Sequence, residues 1–317
     1  RKSQNQQHFP HFNILIYIMN LTSHFKKILH SQPNKKIIGS KINNQWKWTT
    51  NNQLKNKVLY CIDVLKNNNV QENDRIMYKG NNSVNWLSWD IAINALGATF
   101  VPLYNNQSNQ YVNHIIEDCD PKLFITNDTY KNVSLLNDYI EDFDYDKEIP
   151  ESRKNTLSKL IYTSGTTGKP KGVMLSHGNI LSNIYNIEDR FSDLQTDNTY
   201  TTLNILPWAH IYGLTTELYY NILNNNKIAI SSGPQDFVKE LREIQPDLLY
   251  LVPRVLQTIK NKLIYFDKPF IRLLLPLILK RIFGKNLITI FVGGSQLDDD
   301  TKKFYKEYNI NICEGYG

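Results

Sequence analysis

The segment LIYTSGTTGKPKG, from Leu160 to Gly172, contains the residues of this sequence best suited to hold phosphate groups. It combines three glycines, four serine or threonine side chains and two lysines. Glycines let a ligand approach the backbone closely, hydroxyl and backbone N–H groups donate to phosphate oxygens, and lysines supply positive charge. We therefore predict a polyphosphate-binding loop that follows a strand at Leu160–Thr163 and precedes a helix. A flexible surface loop would not need this combination of residues.

This loop does not match either of the common nucleotide-binding patterns. Pro170 stands where the pattern G-x-x-x-x-G-K-[ST] requires its second glycine, and the dinucleotide pattern G-x-G-x-x-G is not met either. The segment from Tyr162 to Gly172 instead resembles the signature of the adenylate-forming enzymes, the superfamily of acyl-CoA synthetases, luciferases and peptide-synthetase adenylation domains. The resemblance extends from about Gln32 to the last residue.

Three later segments resemble further motifs of that superfamily, in the same order. Pro207–Gly213 is similar to the block that borders the acyl carboxylate. Gly293–Leu297 is similar to the Gly-Gly-Ala segment of the adenine and acid pocket, with Ser295 in place of Ala. Cys313–Gly317 is similar to the start of the adenine-stacking motif. Taken alone, His210 would be a buried structural histidine, and Tyr212 would be simple packing, so the interpretation depends on the order of the motifs.

The resemblance implies a role for each of these residues. Lys171 and His210 are implied as catalytic residues, Thr163 as the residue near Mg²⁺, and Tyr316 as the ring that stacks on adenine. The implied phosphate ligands are Thr163, Ser164, Gly165, Thr166, Thr167, Gly168 and Lys171. The implied contacts to the nucleotide and the acid are Gly294, Ser295, Glu314, Gly315, Tyr316 and Gly317.

The implied reaction joins a carboxylic acid to AMP. The acid's carboxylate attacks the α-phosphorus of ATP, pyrophosphate leaves, and the thiol of CoA then takes the acyl group. The segments Gly97–Tyr104, Leu206–Gly213 and Leu251–Val255 are most similar to long-chain fatty acid–CoA ligases. We thus expect a fatty acid, ATP, Mg²⁺ and CoA as ligands and no nucleic acid. Two alternatives stay open: delivery of the acyl group to a carrier-protein thiol, and a non-catalytic protein that binds a nucleotide or an acyl group.

The alternation of helical and strand patterns predicts an α/β fold with mostly parallel sheets covered by helices. We expect two doubly wound α/β lobes, as in the N-terminal domain of the adenylate-forming enzymes, incomplete at the C-terminus. The predicted boundaries are a leader or pre-initiator segment at 1–31, a first lobe at 32–150 and a second lobe at 151–317. The acidic stretch from Asp138 to Glu151 is predicted to be a solvated linker between the lobes rather than a metal site.

The chain begins with Arg1 and ends on Gly317, which suggests an N-terminal fragment. The resemblance places a metal-binding Glu, a ribose-binding Asp and a catalytic Lys beyond residue 317, so we expect the chain alone to bind ATP weakly and to turn over negligibly. Three scattered cysteines favour a reducing compartment, and a net charge of +6 suits anionic ligands. We expect a cytoplasmic protein. The apolar segment from Phe270 to Phe283 could touch a membrane surface, line an acyl tunnel or form a core helix pair interrupted by Pro276.

Overall fold

The computed structural model describes residues 20–151, 156–164, 169–191, 199–265 and 269–315, without the side chains of 164 and 265–273. In chain order the strands are β1 (Lys36–Ile42), β2 (Gln45–Thr50), β3 (Arg75–Lys79), β4 (Thr99–Leu103), β5 (Leu123–Ile125), β6 (Leu135–Leu136), β7 (Leu157–Ser164), β8 (Pro170–Ser176), β9 (Thr201–Asn204), β10 (Lys227–Ile230), β11 (Leu248–Leu251), β12 (Thr289–Val292) and β13 (Ile312–Glu314). The helices are α1 (Leu21–Ser31), α2 (Asn51–Asn67), α3 (Val84–Ala95), α4 (Asn109–Cys119), α5 (His177–Arg190), a π-helical segment (Gly213–Tyr219), α6 (Tyr220–Leu223), α7 (Phe237–Ile244), α8 (Pro253–Tyr265), α9 (Pro269–Phe283) and α10 (Asp299–Glu307).

The first compact unit, Arg1–Pro33 with Asn52–Arg190, is built on a six-stranded sheet in the order β6-β5-β3-β4-β7-β8. Every neighbouring pair in this sheet is parallel except β7 and β8, which are antiparallel. The carboxyl ends of β3, β4, β5 and β7 consequently lie along one edge of the sheet. In open α/β sheets this is the edge at which ligands bind.

Alternation along the strands of this sheet sends successive side chains to opposite faces. On one face, the ring of Phe100 packs edge-on against Trp86 of α3, with ring centroids 5.0 Å apart. The neighbouring Val101 belongs instead to a core cluster with Val112 and Ile115 of α4. Helices therefore cover both faces of the sheet, as predicted for a doubly wound unit.

The second unit, Asn34–Asn51 with Phe191–Gly317, has a seven-stranded sheet in the order β13-β12-β11-β9-β10-β1-β2. Only the β1–β2 pair, at one edge, is antiparallel among the strands described here. Leu249 and Leu251 of β11 and Ile290 of β12 are fully buried in its core, against the apolar sides of α7 to α10. The predicted α/β class, with two doubly wound sheets, is confirmed.

The boundaries between the units differ from the predicted division near residue 150. β7 pairs with β4 through Phe100 and Lys159, so residues after 150 complete the first sheet, and the chain leaves this unit at Arg190. In addition, β1 pairs with β10 through Ile38 and Ile228, which places the early β1–β2 hairpin in the second unit. Strand pairing between distant segments, which the local sequence does not encode, sets both boundaries.

The acidic stretch is part of the first unit and does not link the two units. Ile140 and Ile149 are buried, and the Asp138 carboxylate accepts hydrogen bonds from Tyr78 at 2.7 Å and from the Trp89 indole at 3.0 Å. Two apolar anchors and a paired carboxylate hold this irregular segment against the unit. No cluster of three or more metal-ligating side chains occurs among the described residues.

Helix α1 belongs to the first unit, although the predicted leader extended to residue 31. Asn20 caps it by accepting the N–H of Ser23 at 2.9 Å, and Leu21, Phe25 and Leu29 are buried. Residues 1–19 of the predicted leader lie outside the described ranges. Within those ranges, every helix is too short or too polar to cross a bilayer.

The apolar segment from Phe270 to Phe283 lies within one helix, α9, with Pro276 inside it, so the predicted helix pair is wrong. Leu279 and Phe283 are buried in the core of the second unit. Leu277, on the other side of α9, is 66% exposed. In its described half, α9 therefore packs as an amphipathic surface helix.

Candidate nucleotide and acyl-binding site

The predicted phosphate loop lies between the two strands of an antiparallel hairpin in the chain. β7 ends at Ser164 and β8 begins at Pro170, its direct partner, whereas the sequence predicted no strand between the loop and the next helix. Pro170 has no backbone N–H to donate to the sheet. Proline is tolerated at the first position of a strand, which is where Pro170 lies. The helix begins later, at His177. Residues Gly165, Thr166, Thr167 and Gly168, together with the Ser164 side chain, lie outside the described part of the chain.

Thr163 and Lys171 are direct cross-strand partners at the loop end of this hairpin. Side chains of directly opposed residues project from the same face of a sheet, a few ångströms apart. Both residues are exposed. The hairpin therefore brings a hydroxyl and an ammonium group to the carboxyl end of β7, on the edge at which open α/β sheets generally bind ligands.

The glycine of the same hairpin serves packing. Gly172 lies opposite Tyr162, and a Cβ at Gly172 would come within 2.8 Å of the Leu160 side chain and 3.2 Å of the Tyr162 ring. Tyr162 in turn donates a hydrogen bond of 2.5 Å to the carboxylate of Asp118 in α4. These contacts fix β8 and α4 around β7, and hence the direction in which the loop leaves the sheet.

In the second unit, the His210 block forms a tight turn after β9. The N–H of His210 donates to the carbonyl of Pro207 at 3.1 Å, and the His210 Nδ1 accepts the N–H of Tyr212 at 3.2 Å. The His210 side chain is exposed in part, and the burial it does have lowers the pKa of its imidazole. His210 is therefore mainly neutral at pH 7 and is not a buried structural histidine.

The glycine segment after β12 lies against this turn. A Cβ at Gly293 would meet the ring of Tyr212 at 2.6 Å, so the ring rests on glycine backbone. Gly294 has φ +83°, a left-handed conformation that favours glycine. The structure thus brings together two sequence blocks, Pro207–Gly213 and Gly293–Leu297, that are far apart in the chain. Ser295 is exposed beside them.

Glu314, predicted to contact adenine, has its carboxylate engaged within the protein. It pairs with Lys302 of α10 at 2.8 Å and accepts the N–H of Leu297 at 3.1 Å. The following residue, Gly315, donates its N–H to the carbonyl of Val292 at 2.8 Å and is exposed. These bonds attach the end of β13 to the glycine segment. The next two predicted residues, Tyr316 and Gly317, lie outside the described ranges.

Sequence reasoning missed one ionisable residue, which follows the His210 turn in the chain. Glu217 is completely buried in the π-helical segment and receives a hydrogen bond from the side chain of Asn204. Burial raises the pKa of its carboxyl group well above the usual range. The available signal was a lone glutamate among the apolar residues of LTTELYYNIL, from Leu214 to Leu223.

Comparison with known proteins identifies the family of this chain. A family model described as "AMP-binding enzyme" matches residues 25–317. Fatty acyl-CoA synthetase B of Dictyostelium discoideum is 28% identical over a region that covers 51% of this chain and 28% of the relative. The chain therefore spans well under half the length of that relative.

Two solved structures share the fold. The N-terminal domain of FACL13 from Mycobacterium tuberculosis, solved with an inhibitor, has a TM-score of 0.74 at 18% identity, covering 94% of this chain and 75% of that one. The fatty acyl-adenylate ligase of L. pneumophila, solved with acyl adenylate and pyrophosphate, has a TM-score of 0.75 at 20% identity, covering 94% and 56%. By its family match and its fold, the chain belongs to the AMP-binding, adenylate-forming enzymes.

Proposed function

We propose that the natural protein containing this chain activates a long-chain fatty acid with ATP, forming acyl-AMP and pyrophosphate, and then transfers the acyl group to CoA. The observation that carries the proposal is the pairing of Thr163 with Lys171 at the carboxyl end of β7. A hydroxyl and a cation held there by a hairpin are suited to a polyphosphate. The chemistry needs mainly positioning and charge stabilisation, because negative charge builds on phosphate oxygens as pyrophosphate leaves.

In this proposal the hairpin loop holds the phosphates. Lys171 compensates the charge on the β- and γ-phosphates, and the Thr163 hydroxyl donates to a phosphate oxygen or contacts the metal. Further donors come from the loop itself, namely Ser164, Gly165, Thr166, Thr167 and Gly168. Donors that are fixed before the reaction cost no reorganisation when charge develops, which is why a hairpin is a suitable support.

Mg²⁺ would supply positive charge to the phosphates. Among the described residues, Thr163 is the residue we assign to it, and no cluster of carboxylates, histidines or cysteines accompanies it. Mg²⁺ commonly keeps several waters and is bound through substrate phosphates with one or two protein ligands. The donor set thus fits an ion that arrives with ATP better than an ion held by a protein cage.

The residues of the second unit are proposed to bind the nucleotide and the acid. A neutral His210 borders the acyl carboxylate, and the Gly294–Ser295 backbone lines the pocket. Because the Glu314 carboxylate already pairs with Lys302, we assign Glu314 to attaching the end of β13 to the glycine segment Gly293–Leu297. Contact with adenine is then left to the backbone of Gly315 and Gly317 and to the Tyr316 ring.

The fatty-acid part of the proposal is supported by relatives such as Fatty acyl-CoA synthetase B. The test is pyrophosphate release by the natural protein with ATP and Mg²⁺ across long-chain, short-chain and aromatic acids, with mass spectrometry of the products. We expect release to depend on the acid, to be fastest with long-chain fatty acids, and to yield acyl-CoA when CoA is present.

Each part of the proposal can fail separately in this assay. Absence of acid-dependent pyrophosphate release with every acid would overturn the function. Acyl-AMP that accumulates while CoA is not consumed would reject the acceptor and favour a carrier-protein thiol. Faster release with aromatic acids would reject the fatty acid as substrate. Reactions without acid are the control for simple ATP hydrolysis.

A further inference from the structure

Glu217 is a buried acidic residue to which the proposed function gives no role. It lies in the π-helical segment Gly213–Tyr219, which begins directly after the His210 turn. Its neighbours in this segment, Leu214 and Leu218, are fully buried apolar residues, and Glu217 is itself 0% exposed. A leucine would suit such surroundings better, because burying a polar group costs free energy unless its hydrogen bonds are made. π-Helical turns within helices occur frequently at functional sites.

The hydrogen bonds of Glu217 connect the end of β9 to the helix. The Asn204 amide, at the end of β9, donates to the Glu217 carboxyl group and also to the carbonyl of Leu206 at 2.9 Å. Backbone N–H groups of Ile205 and Leu206 lie near the same carboxyl group and favour its charged form. On the helix side, the Asn221 amide donates to the Glu217 carbonyl at 2.7 Å. One side chain thus joins the segments on either side of the His210 turn.

The turn between these segments is closely packed. A Cβ at Gly213 would lie 2.6 Å from the carbonyl oxygen of Pro207, so the start of the π-helical segment touches the start of the turn. Tyr212, between His210 and the helix, lies on the Gly293 backbone. A shift of the helix relative to β9 would therefore move both His210 and Tyr212.

The surroundings of Glu217 favour the neutral form of its carboxyl group. Burial raises its pKa well above the usual range and outweighs the opposite effect of its hydrogen bonds. Its Oε1 has no hydrogen-bond partner among the residues that the structure describes. That oxygen is suited to carry the proton of the neutral acid, while Oε2 accepts from Asn204. A glutamine has the same shape and the same acceptor, so it should replace Glu217 without loss.

We infer that Glu217 is a positioning residue, which clamps the end of β9 to the π-helical segment and so fixes His210 and Tyr212 beside the acid substrate. The kinetic effect expected from this inference depends on the proposed function. The placement of the His210 ring is a separate consequence that does not require activity.

The kinetic test compares Glu217→Gln and Glu217→Leu in the natural protein, with Glu240→Leu as a matched control. Glu240 is the other fully buried glutamate of this unit; it lies in α7 and binds Ser231 and Ser232, outside the π-helical segment. We expect Glu217→Leu to lower kcat/KM for the acid at least about tenfold while the KM for ATP changes less than about twofold. Glu217→Gln should stay within about twofold of the parent, and Glu240→Leu should lose stability without the selective effect on the acid.

The structural test uses the 317-residue chain labelled at its seven histidines for NMR, with His210→Gln to assign the His210 signal. We expect the His210 resonance to shift in Glu217→Leu and to stay in place in Glu217→Gln. If Glu217→Leu does not fold, Asn204→Ser removes the donor instead and should give the same shift and the same kinetic defect.

Three outcomes would overturn the inference. The first is an unshifted His210 signal in folded Glu217→Leu or Asn204→Ser. The second is a Glu217→Gln variant as damaged as Glu217→Leu. The third is equal losses for the acid and for ATP. If the parent protein shows no acid-dependent pyrophosphate release, the proposed function fails, and the His210 signal still decides the role of Glu217.

Discussion

Thr163 and Lys171 are separated by a loop in the sequence but are direct neighbours across the β7–β8 hairpin. This pairing gives the phosphate-loop assignment a geometric basis that composition alone does not provide. At Gly293, the absence of a side chain leaves room for the ring of Tyr212. Glu314, by contrast, has its carboxylate engaged by Lys302. Residues of the predicted motifs can therefore also support the fold, as Glu314 does through Lys302.

Replacing Lys171 tests the phosphate assignment. Lys171→Ala in the natural protein should raise the barrier to adenylation by about 2 to 4 kcal/mol, because one positioned donor to developing phosphate charge is lost. The measurement is acid-dependent pyrophosphate release, with folding checked by circular dichroism. Lys122→Ala is the control, since Lys122 is an exposed lysine at the amino end of β5, on the opposite edge of the same sheet. A loss of about tenfold or less in folded Lys171→Ala, or an equal loss in the control, would contradict the assignment.

At the scale of elements, the hairpin depends on Tyr162, which connects β7 to α4. Its hydroxyl donates to the Asp118 carboxylate at 2.5 Å, and its ring packs against Gly172. The predicted strand–loop–helix missed β8, because Pro170, Lys171 and Gly172 are residues typical of loops. Pairing with β7 turns them into a strand. The edge position in the sheet tolerates proline and glycine there.

Removing the Tyr162 hydroxyl tests this anchor. Tyr162→Phe should lower the free energy of unfolding by about 1.5 to 3 kcal/mol, since the bond lost joins a buried tyrosine to a carboxylate at a part-buried site. Urea unfolding of the chain measures the change. In the control Tyr130→Phe, the hydroxyl lost donates to the neutral Asn109 at an exposed site, at 3.2 Å, and the loss should be smaller. Equal losses in the two variants would show that the Tyr162–Asp118 bond is not an anchor.

At the scale of the whole molecule, each unit places its predicted site residues at the carboxyl ends of its own parallel strands. The protein also contains buried ionisable groups that the proposed reaction does not use. His177, at the start of α5, is 1% exposed, and its Nδ1 accepts the N–H of Leu21 from α1 at 3.3 Å. Burial, with a smaller effect of the Lys159 charge, lowers the pKa of His177 to about 3. The fold therefore requires a neutral imidazole at this position.

This requirement gives stability a defined pH dependence. Because the pKa of His177 falls from the ordinary value of 6.5 to about 3 on folding, the unfolded chain binds more protons between these values. The contribution is complete above about pH 6.5 and is lost as the pH falls, by about 2 kcal/mol at about pH 5. Urea unfolding at about pH 6.5 and at about pH 5 should show a smaller loss of unfolding free energy for His177→Gln than for the parent. His30→Gln, which removes an exposed histidine, should keep the parental loss, and an unchanged loss in His177→Gln would refute the prediction.

The sequence by itself determined the family, the α/β class and the identity of the motifs. These depend on local patterns: hydrophobic periodicity, and glycine, hydroxyl and lysine residues at fixed spacing from Thr163 to Gly172. Most predicted helices and strands were confirmed to within a few residues for the same reason. The predicted strand at Leu160–Thr163, for example, lies within β7, Leu157–Ser164.

Only the tertiary structure decided how these pieces are joined. The unit boundary at Arg190, the place of the β1–β2 hairpin beside β10, and the strand character of β8 all follow from pairing between segments distant in the chain. The role of Glu217 likewise depends on Asn204, which lies on another element. Such relations arise from burial and hydrogen bonding across the fold. Local propensity and residue spacing carry no information about which distant segment becomes the partner.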